Sequence, residues 1–157
     1  MTARRASAVL IAGIAGGIAW VLAMMAFFGP AQAVLADPER QSAKFLSVMG
    51  ALEPLPKVTS QPWILPAGIL ALAVIHAAVY GAIRDGLRGG RFVRGLKFGA
   101  VAWALMAPWF EFYLPWNAMH EPALLVALEL ACWLLVLLAA GAAIGSVYEW
   151  RIGRSPA

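Results

Sequence analysis

The sequence predicts an all-α integral membrane protein in which four helices cross the bilayer as a bundle and both ends of the chain lie in the cytoplasm. Three observations predict this class. The mean hydropathy is +0.78, only 13% of the residues are charged, and long stretches contain almost no charge, whereas a soluble domain is about one-quarter charged. Since four spans of about 20 residues each take up half of the chain, residues 1–157 are expected to form a single transmembrane domain.

The first span is predicted over residues 6–28, because no charged residue occurs between Arg5 and Asp37. An alternative interpretation of this segment is a signal peptide, since Ala31–Ala33 resembles an A-x-A cleavage site. Signal-peptide cores are about 7 to 15 residues long, which is shorter than this apolar stretch. We therefore expect an uncleaved span. Cleavage would leave three spans and would not change their orientation.

The outer loop after the first span is predicted to contain a short helix that lies in the membrane interface. Asp37 and Pro38 form a typical start, an N-cap followed by proline at the first helical position. This helix would be either a connector resting on lipid headgroups or a lid over the outer mouth of the bundle. Its apolar residues recur at helical spacing and are Phe45, Val48, Met49 and Leu52.

The second and fourth spans are predicted over residues 63–83 and 122–148. His76 is the only histidine or charged residue in the second, and Glu129 is the only one in the fourth. Each stretch is long enough to cross about 30 Å of hydrocarbon at 1.5 Å per residue. Both are therefore expected to be complete crossings.

The third span, over residues 93–114, has the weakest signal because uncharged sequence covers only residues 98–110. A full crossing requires Arg94 and Lys97 to extend toward the inner surface and Glu111 to lie in or beside the hydrocarbon. The alternative is a re-entrant segment. We expect a crossing, because it connects the second and fourth spans most simply.

Lysine and arginine residues are divided unequally between the two sides. Of the 12 in the chain, nine lie at the two termini or in the loop before the third span. Because basic residues concentrate on the cytoplasmic side, we expect a cell (inner) membrane protein with both termini in the cytoplasm. The inner residues are Arg4, Arg5, Arg84, Arg88, Arg91, Arg94, Lys97, Arg151 and Arg154, and the outer ones are Arg40, Lys44 and Lys57.

The inner loop from Arg84 to Lys97 contains most of these positive charges. We expect it to set the orientation of the protein and to contact anionic lipid headgroups. Docking of an acidic cytoplasmic partner is the alternative. Because the basic residues follow the predicted topology, the net charge of +4 does not indicate nucleic-acid binding.

Glycine pairs at small-xxx-small spacing predict where the helices approach one another closely, since apolar side chains gain little over lipid by packing together. The pairs fall in the cytoplasmic half of their spans, whereas bulky side chains dominate the outer half. We therefore expect a bundle that is tight inside and wider outside, with a cavity toward the outer face. The pairs are Gly13 with Gly17, Gly95 with Gly99, and Gly141 with Gly145.

Two glutamates inside the predicted spans form the main candidate site, because ionisable residues within a membrane are costly and often functional. Glu111 and Glu129 belong to helices joined by a short turn, so the helices must be antiparallel neighbours and the carboxyl groups should lie at similar depth. Such a pair would share a proton or hold a cation, and His120 and Glu121 in the turn could add ligands. The structural alternative is that Glu111 meets water at the outer interface and Glu129 forms hydrogen bonds as a neutral acid.

His76 is a further candidate, although a hydrogen-bonded histidine in the core is its simplest role. A haem between two histidines is not expected, because His120, the other of the two histidines, lies in an outer turn. Cys132 is the only cysteine, which excludes an internal disulfide and a paired-cysteine redox or zinc site.

These features favour a small, non-enzymatic membrane protein that binds a hydrophobic or cationic ligand or acts as an accessory subunit of a membrane complex. Spacings typical of Ser-His-Asp, HExxH and Walker sites are absent, so we expect no bound cofactor and no dedicated metal centre. The first alternative is a small proton-coupled transporter using Glu111 and Glu129, and the second is a membrane-embedded enzyme. A membrane partner or a homo-oligomer is compatible with each.

Overall fold

The computed structural model describes residues 2–153, and the predicted all-α class is confirmed for that part of the chain, which contains no β-strand. Arg154, which the sequence assigns to the inner side, lies outside the described residues. Two long helices begin and end the fold, and two shorter helices lie in the loop after the first. The helices are α1 (Ala3–Leu35), α2 (Ala43–Gly50), α3 (Lys57–Ser60), α4 (Ile64–Ile83), α5 (Arg91–Glu111) and α6 (Ala123–Gly153).

Three helical segments are long and apolar enough to cross a membrane: α1, α6, and α4 together with the 3₁₀ turn that follows it, Ile64–Gly86. They coincide with the first, fourth and second predicted spans, so within residues 2–153 three of the four predicted spans correspond to helices with the length and composition of transmembrane helices. Helix α5 does not reach the same hydropathy. Its first two turns contain Arg91, Arg94 and Lys97, the residues that weakened its signal in the sequence.

Helix α1 is longer than predicted, because it continues through Pro30 to Leu35. A proline inside a helix removes one backbone hydrogen bond and usually ends or kinks the helix. Here the extension is stabilised by packing, since Ala31 and Leu35 are buried in one apolar cluster with Leu125 and Cys132 of α6. The segment that resembles a cleavage site is therefore helical and lies against α6.

The four long helices are arranged around α6, which packs against α1 on one side and α5 on the other, while α4 packs mainly against α1. The neighbours α1 and α6 are antiparallel, because the Arg4 guanidinium at the start of α1 donates to the carbonyls of Arg151 and Ile152 near the end of α6, at 3.2 and 2.8 Å. The first residues of α1 and the last of α6 thus lie at the same end of the packed helices. We call this the inner end and the opposite end the outer end, after the orientation predicted from the sequence.

The outer loop contains the predicted short helix, α2, but the helix begins one turn later than the sequence suggested. Its N-cap is Ser42, whose hydroxyl accepts a hydrogen bond from the Phe45 N–H at 3.0 Å. The prediction of Asp37 as the cap is wrong. The Asp37 carboxylate instead accepts from the Glu39 N–H at 3.0 Å and pairs with Arg40 at 3.0 Å, which closes a tight turn before the helix.

Glycines bring the backbones of α5 and α6 into direct contact at the inner end. A Cβ atom added at Gly145 would lie 2.6 Å from the Gly95 Cα, and one added at Gly141 would lie 2.5 Å from the Gly95 carbonyl oxygen. Gly99 lies equally close to the Leu137 backbone. No L side chain fits at such positions unless the helices move apart.

On α1 the close approaches are at Gly13 and Gly16. A Cβ atom at Gly13 would lie 2.7 Å from the Val74 Cα of α4, and one at Gly16 would lie 2.5 Å from Ile144 of α6. At Gly17 the nearest atom would be 3.4 Å away, on the flexible Leu70 side chain. Of the expected pair, Gly13 thus makes the closer approach to α4 and Gly17 the looser one, while Gly16 makes a further close approach, to α6, that the sequence did not indicate.

Candidate functional site

The turn between α5 and α6 places three glutamates together. Helix α5 ends at Glu111 and continues as a π-helical segment, Phe112–Ala118. This segment closes with hydrogen bonds from the Met119 N–H to the Leu114 carbonyl and from the Glu121 N–H to the Pro115 carbonyl, both at 2.9 Å. His120 between them has φ 58°, the left-handed conformation that ends a helix and reverses the chain. The reversal directs Glu121 back into the bundle, toward Glu111.

The carboxyl groups of Glu111, Glu121 and Glu129 meet under the outer end of the bundle. One oxygen of each lies within 4.8 Å of the other two. The side chains of Glu111 and Glu121 are 1% and 2% exposed, and Glu129 is half-buried. The hairpin thus brings together the two glutamates that the sequence singled out, with the neighbouring turn residue as the third.

Gln41, which the sequence did not indicate, covers this cluster from the outer loop. Its side-chain Nε2 donates to Glu121 Oε1 at 2.6 Å and to the Leu35 carbonyl at 3.1 Å. The next residue, Ser42, donates through its hydroxyl to the Met119 carbonyl at 2.6 Å. The segment before α2 is therefore attached to the α5–α6 turn and lies over the carboxyl groups, which favours the lid among the two roles considered for this loop.

Trp133 forms the inner boundary of the cluster. Its indole lies beside the Glu111 carboxyl group, and its ring packs edge-on against Phe28 and Trp20, with ring centroids 4.9 and 6.3 Å apart. Glu129 contacts the carboxyl groups of both other glutamates. The carboxylates are thus enclosed by an aromatic layer below and by Gln41 above.

Two oxygens of the cluster have no hydrogen-bond partner although they are buried: Glu111 Oε2 and Glu121 Oε2. Among residues 2–153, the salt bridges do not include any of the three glutamates. Three carboxylates this close together inside a low-dielectric region cannot all remain charged without a compensating positive charge. The arrangement can therefore take up a cation or hold protons.

An apolar pocket of about 300 Å³ lies beside the cluster, where α4 and α5 separate. It shares Trp133 with the glutamate site and includes Trp20, whose buried indole N–H has no hydrogen-bond partner. Toward the inner end the same two helices are in contact through Phe98, which packs edge-on against His76 and Tyr80. The pocket is lined by Trp20, Leu72, Met106, Ala107, Phe110, Trp133 and Leu137.

The two histidines do not join the three carboxyl groups. His76 is buried and stacks on Trp20, with ring centroids 5.7 Å apart, and Trp20 and Trp133 lie between it and the cluster. His120 is exposed and lies at the rim, where it lines a shallow surface depression with Glu121. Its contribution is the backbone turn that directs Glu121 inward.

A second polar cluster, not predicted from the sequence, lies at the inner end of the bundle around Glu149. The Glu149 carboxylate accepts hydrogen bonds from the Tyr80 hydroxyl at 3.1 Å, from Arg84 at 2.8 Å and from Arg94 at 3.3 Å. Arg84 also lies over the Tyr148 ring, 5.7 Å from its centroid. These contacts connect α4, α5 and α6. The sequence did contain one signal for this cluster: Glu149 is an acidic residue on the side of the membrane where the basic residues are predicted to concentrate.

Comparisons with protein-family models, with curated proteins and with solved structures give no match to this chain.

Proposed function

We propose that this chain is a four-span protein of the cytoplasmic (inner) membrane, non-enzymatic, that binds a cationic ligand between Glu111, Glu121 and Glu129. The observation that supports this function is the combination of three carboxyl groups with oxygens within 4.8 Å of one another and two buried oxygens that lack partners. Charged groups buried without compensation are strongly destabilising. A bound cation supplies the compensation that the described residues do not.

The position of the chain ends supports four crossings. Arg4 and Ile152 are in contact, so α1 begins where α6 ends, and a chain with both ends on one side crosses the membrane an even number of times. Helices α1, α4 and α6 supply three crossings. Helix α5 supplies the fourth, because it lies antiparallel to α6 along its length. Gly95 near its start is beside Gly145, and Glu111 at its end is beside Glu129.

The orientation follows from the positive-inside rule and is tested by reporter fusions. Fusions after residue 90 and at the C-terminus should report the cytoplasm, and one near Ser42 should report the outside. In this orientation Gln41 and the glutamate cluster face outward. An external C-terminus would contradict the four-span topology.

The inner loop then contacts anionic lipid headgroups mainly through Arg88 and Arg91, which are exposed. The other charges of the loop are engaged within the protein: Arg84 and Arg94 bind Glu149, and Lys97 donates to the Arg88 carbonyl at 2.8 Å. Contact with lipid phosphates is the ordinary role of exposed basic residues at this surface.

The function is tested by thermal unfolding of the purified protein in a mild detergent, at fixed pH, with two classes of cation: inorganic ions and an organic cation such as tetraphenylphosphonium. A ligand that binds only the folded state raises the midpoint temperature. We expect at least one class to raise it for the wild type and for Glu39→Gln, an exposed outer-loop control, but not for Glu129→Gln.

A protein that uses these carboxylates for protons alone would show no rise with either class of cation. That result would overturn the proposal and favour a small proton-coupled transporter. An equal rise for Glu129→Gln and the wild type would also overturn it, because the ligand would then bind elsewhere.

A further inference from the structure

We propose that the ligand of the Glu111–Glu121–Glu129 cluster is a hard divalent metal ion of the Ca²⁺ and Mn²⁺ class. This inference rests on the proposed cation-binding function and specifies the chemical class of the ligand. Five features of the site support it: the donor atoms, their spacing, the neighbours that orient them, their charge and the enclosure of the cluster.

The donors available are all carboxylate oxygens, which hard divalent cations prefer. The softer side chains of this region point to other contacts. Met106 lines the apolar pocket, and the Cys132 thiol donates to the Phe27 carbonyl at 3.8 Å. His120 is exposed. A site for zinc or copper, which bind nitrogen and sulfur ligands strongly, is therefore disfavoured.

The spacing of the oxygens fits the coordination shell of one ion. Calcium–oxygen distances are about 2.3–2.6 Å, so two ligands on opposite sides of one ion are up to about 5 Å apart. The three oxygens lie within 4.8 Å of one another. One ion can therefore contact all three glutamates with small adjustments of their side chains.

Two of the three carboxyl groups have neighbours that position them and one oxygen without a hydrogen-bond partner. Glu121 Oε1 accepts from Gln41, and Glu121 Oε2 is buried without a partner. Glu111 Oε2 is likewise buried without a partner, and the Trp133 indole lies beside the same carboxyl group. Residues that bind the outer atoms of ligating groups orient them toward a metal. Gln41 and Trp133 are in this position.

Charge favours a divalent over a monovalent ion. Three carboxylates carry three formal negative charges, of which a divalent ion neutralises two and a monovalent ion one. The residual charge is therefore smaller with the divalent ion, and in a low-dielectric site this makes a large difference in electrostatic energy. Sodium and potassium are therefore expected to bind far more weakly.

The enclosure of the cluster disfavours an organic cation. Glu111 and Glu121 are at most 2% exposed, and Gln41 covers them from outside. Trp133 separates the carboxyl groups from the apolar pocket that could hold an organic group. It lines the pocket and lies beside the Glu111 carboxyl group. A small ion reaches the oxygens by a slight opening of the Gln41 segment, whereas a large cation would have to displace it.

The test is equilibrium dialysis of the purified full-length protein against Mn²⁺, with electron paramagnetic resonance used to count free ions. We expect one Mn²⁺ per chain for the wild type and for Glu39→Gln, competed by Ca²⁺ and not by equal concentrations of Na⁺. Glu129→Gln and Glu121→Gln should each weaken binding at least about tenfold, since each removes a charged ligand. Thermal unfolding of each variant without metal verifies that it is folded. The two substitutions are independent, so if one variant does not fold, the other alone is a sufficient test.

Unchanged Mn²⁺ affinity in both glutamine variants would overturn the inference, as would the absence of Mn²⁺ binding by the wild type. If tetraphenylphosphonium stabilises the protein through Glu129 while Mn²⁺ does not bind, the cation-binding function stands and the divalent assignment is wrong. If neither ligand binds, both are wrong.

Discussion

The two polar clusters of this protein, one near each end of the bundle, differ in how their charges are balanced. At the inner end a single carboxylate, Glu149, is paired with Arg84 and Arg94 at 2.8 and 3.3 Å and accepts from the Tyr80 hydroxyl. At the outer end oxygens of three carboxyl groups lie within 4.8 Å of one another, and no salt bridge in residues 2–153 reaches them. Similar groups in the same bundle thus have opposite electrostatic surroundings.

This difference separates a structural role from a binding role. A buried acid whose partners are supplied by neighbouring helices fixes those helices relative to one another, and removing it leaves the partners unpaired. Buried acids without partners weaken the fold until something binds them. We therefore interpret the Glu149 cluster as a clamp between α4, α5 and α6, and the three-glutamate cluster as a site for a ligand.

The largest expected effect concerns the α5–α6 contact that connects the two clusters. Gly145→Leu should destabilise the protein by about 3 kcal/mol or more, because even a Cβ atom there would lie 2.6 Å from the Gly95 Cα and the helices must separate. Denaturation in detergent measures the loss. Gly153→Leu is the control, since a Cβ atom there meets nothing within 4 Å. Equal stability of the two variants would show that the helix pair is not packed through glycine.

A smaller loss is expected when the inner clamp is broken. Glu149→Gln leaves Arg84 and Arg94 without their counter-charge and should cost about 1–2 kcal/mol, less than for a fully buried pair, because the three side chains are 17–32% exposed. The matched control is Asp85→Asn, which removes a contact of the same Arg84 at 3.5 Å from a carboxylate that is 84% exposed. If both variants lose the same stability, the inner cluster is not a clamp.

The smallest change in stability is expected at the outer cluster, and it should not be a loss. In the absence of divalent ions, Glu129→Gln should be neutral or stabilising by up to about 1 kcal/mol, because glutamine keeps the shape of the side chain and replaces one of three carboxyl groups that cannot all be charged in a low-dielectric site. Thermal unfolding in chelator-treated detergent measures it beside Glu149→Gln. A loss as large as that of Glu149→Gln would mean that Glu129 has a structural role, and the comparison between the two clusters would fail.

The sequence predicted the parts of the fold that depend on local hydrophobicity. Uncharged runs located three membrane helices, and the short α5–α6 connection predicted that Glu111 and Glu129 would be neighbours. Helix ends were less predictable, because tertiary packing decides them. Pro30 does not end α1, since Ala31 and Leu35 are buried against α6, and the capping of α2 by Ser42 rather than Asp37 depends on the attachment of this segment to Met119.

The partners of each cluster could not be predicted, because they are distant in the chain. Gln41 is 80 positions from Glu121, and in the sequence it is one polar residue among many in an outer loop. Arg84 and Arg94 belong to a segment with the composition of an ordinary cytoplasmic loop, and they are 65 and 55 positions away from Glu149 in the chain. Only the packing of the helices brings such residues together, so a pattern of composition or spacing does not indicate them.

Cation binding by the three glutamates is measured most directly in an anomalous difference map from crystals of the protein grown with Mn²⁺. We expect one peak between Glu111, Glu121 and Glu129, at about 2.0–2.6 Å from an oxygen of each, the range of magnesium and calcium sites, with Gln41 still donating to Glu121. The same map from Glu129→Gln crystals should have a weaker peak or none. Wild-type crystals with the three carboxyl groups in place and no peak between them, or with a peak only elsewhere, would contradict cation binding by the three glutamates.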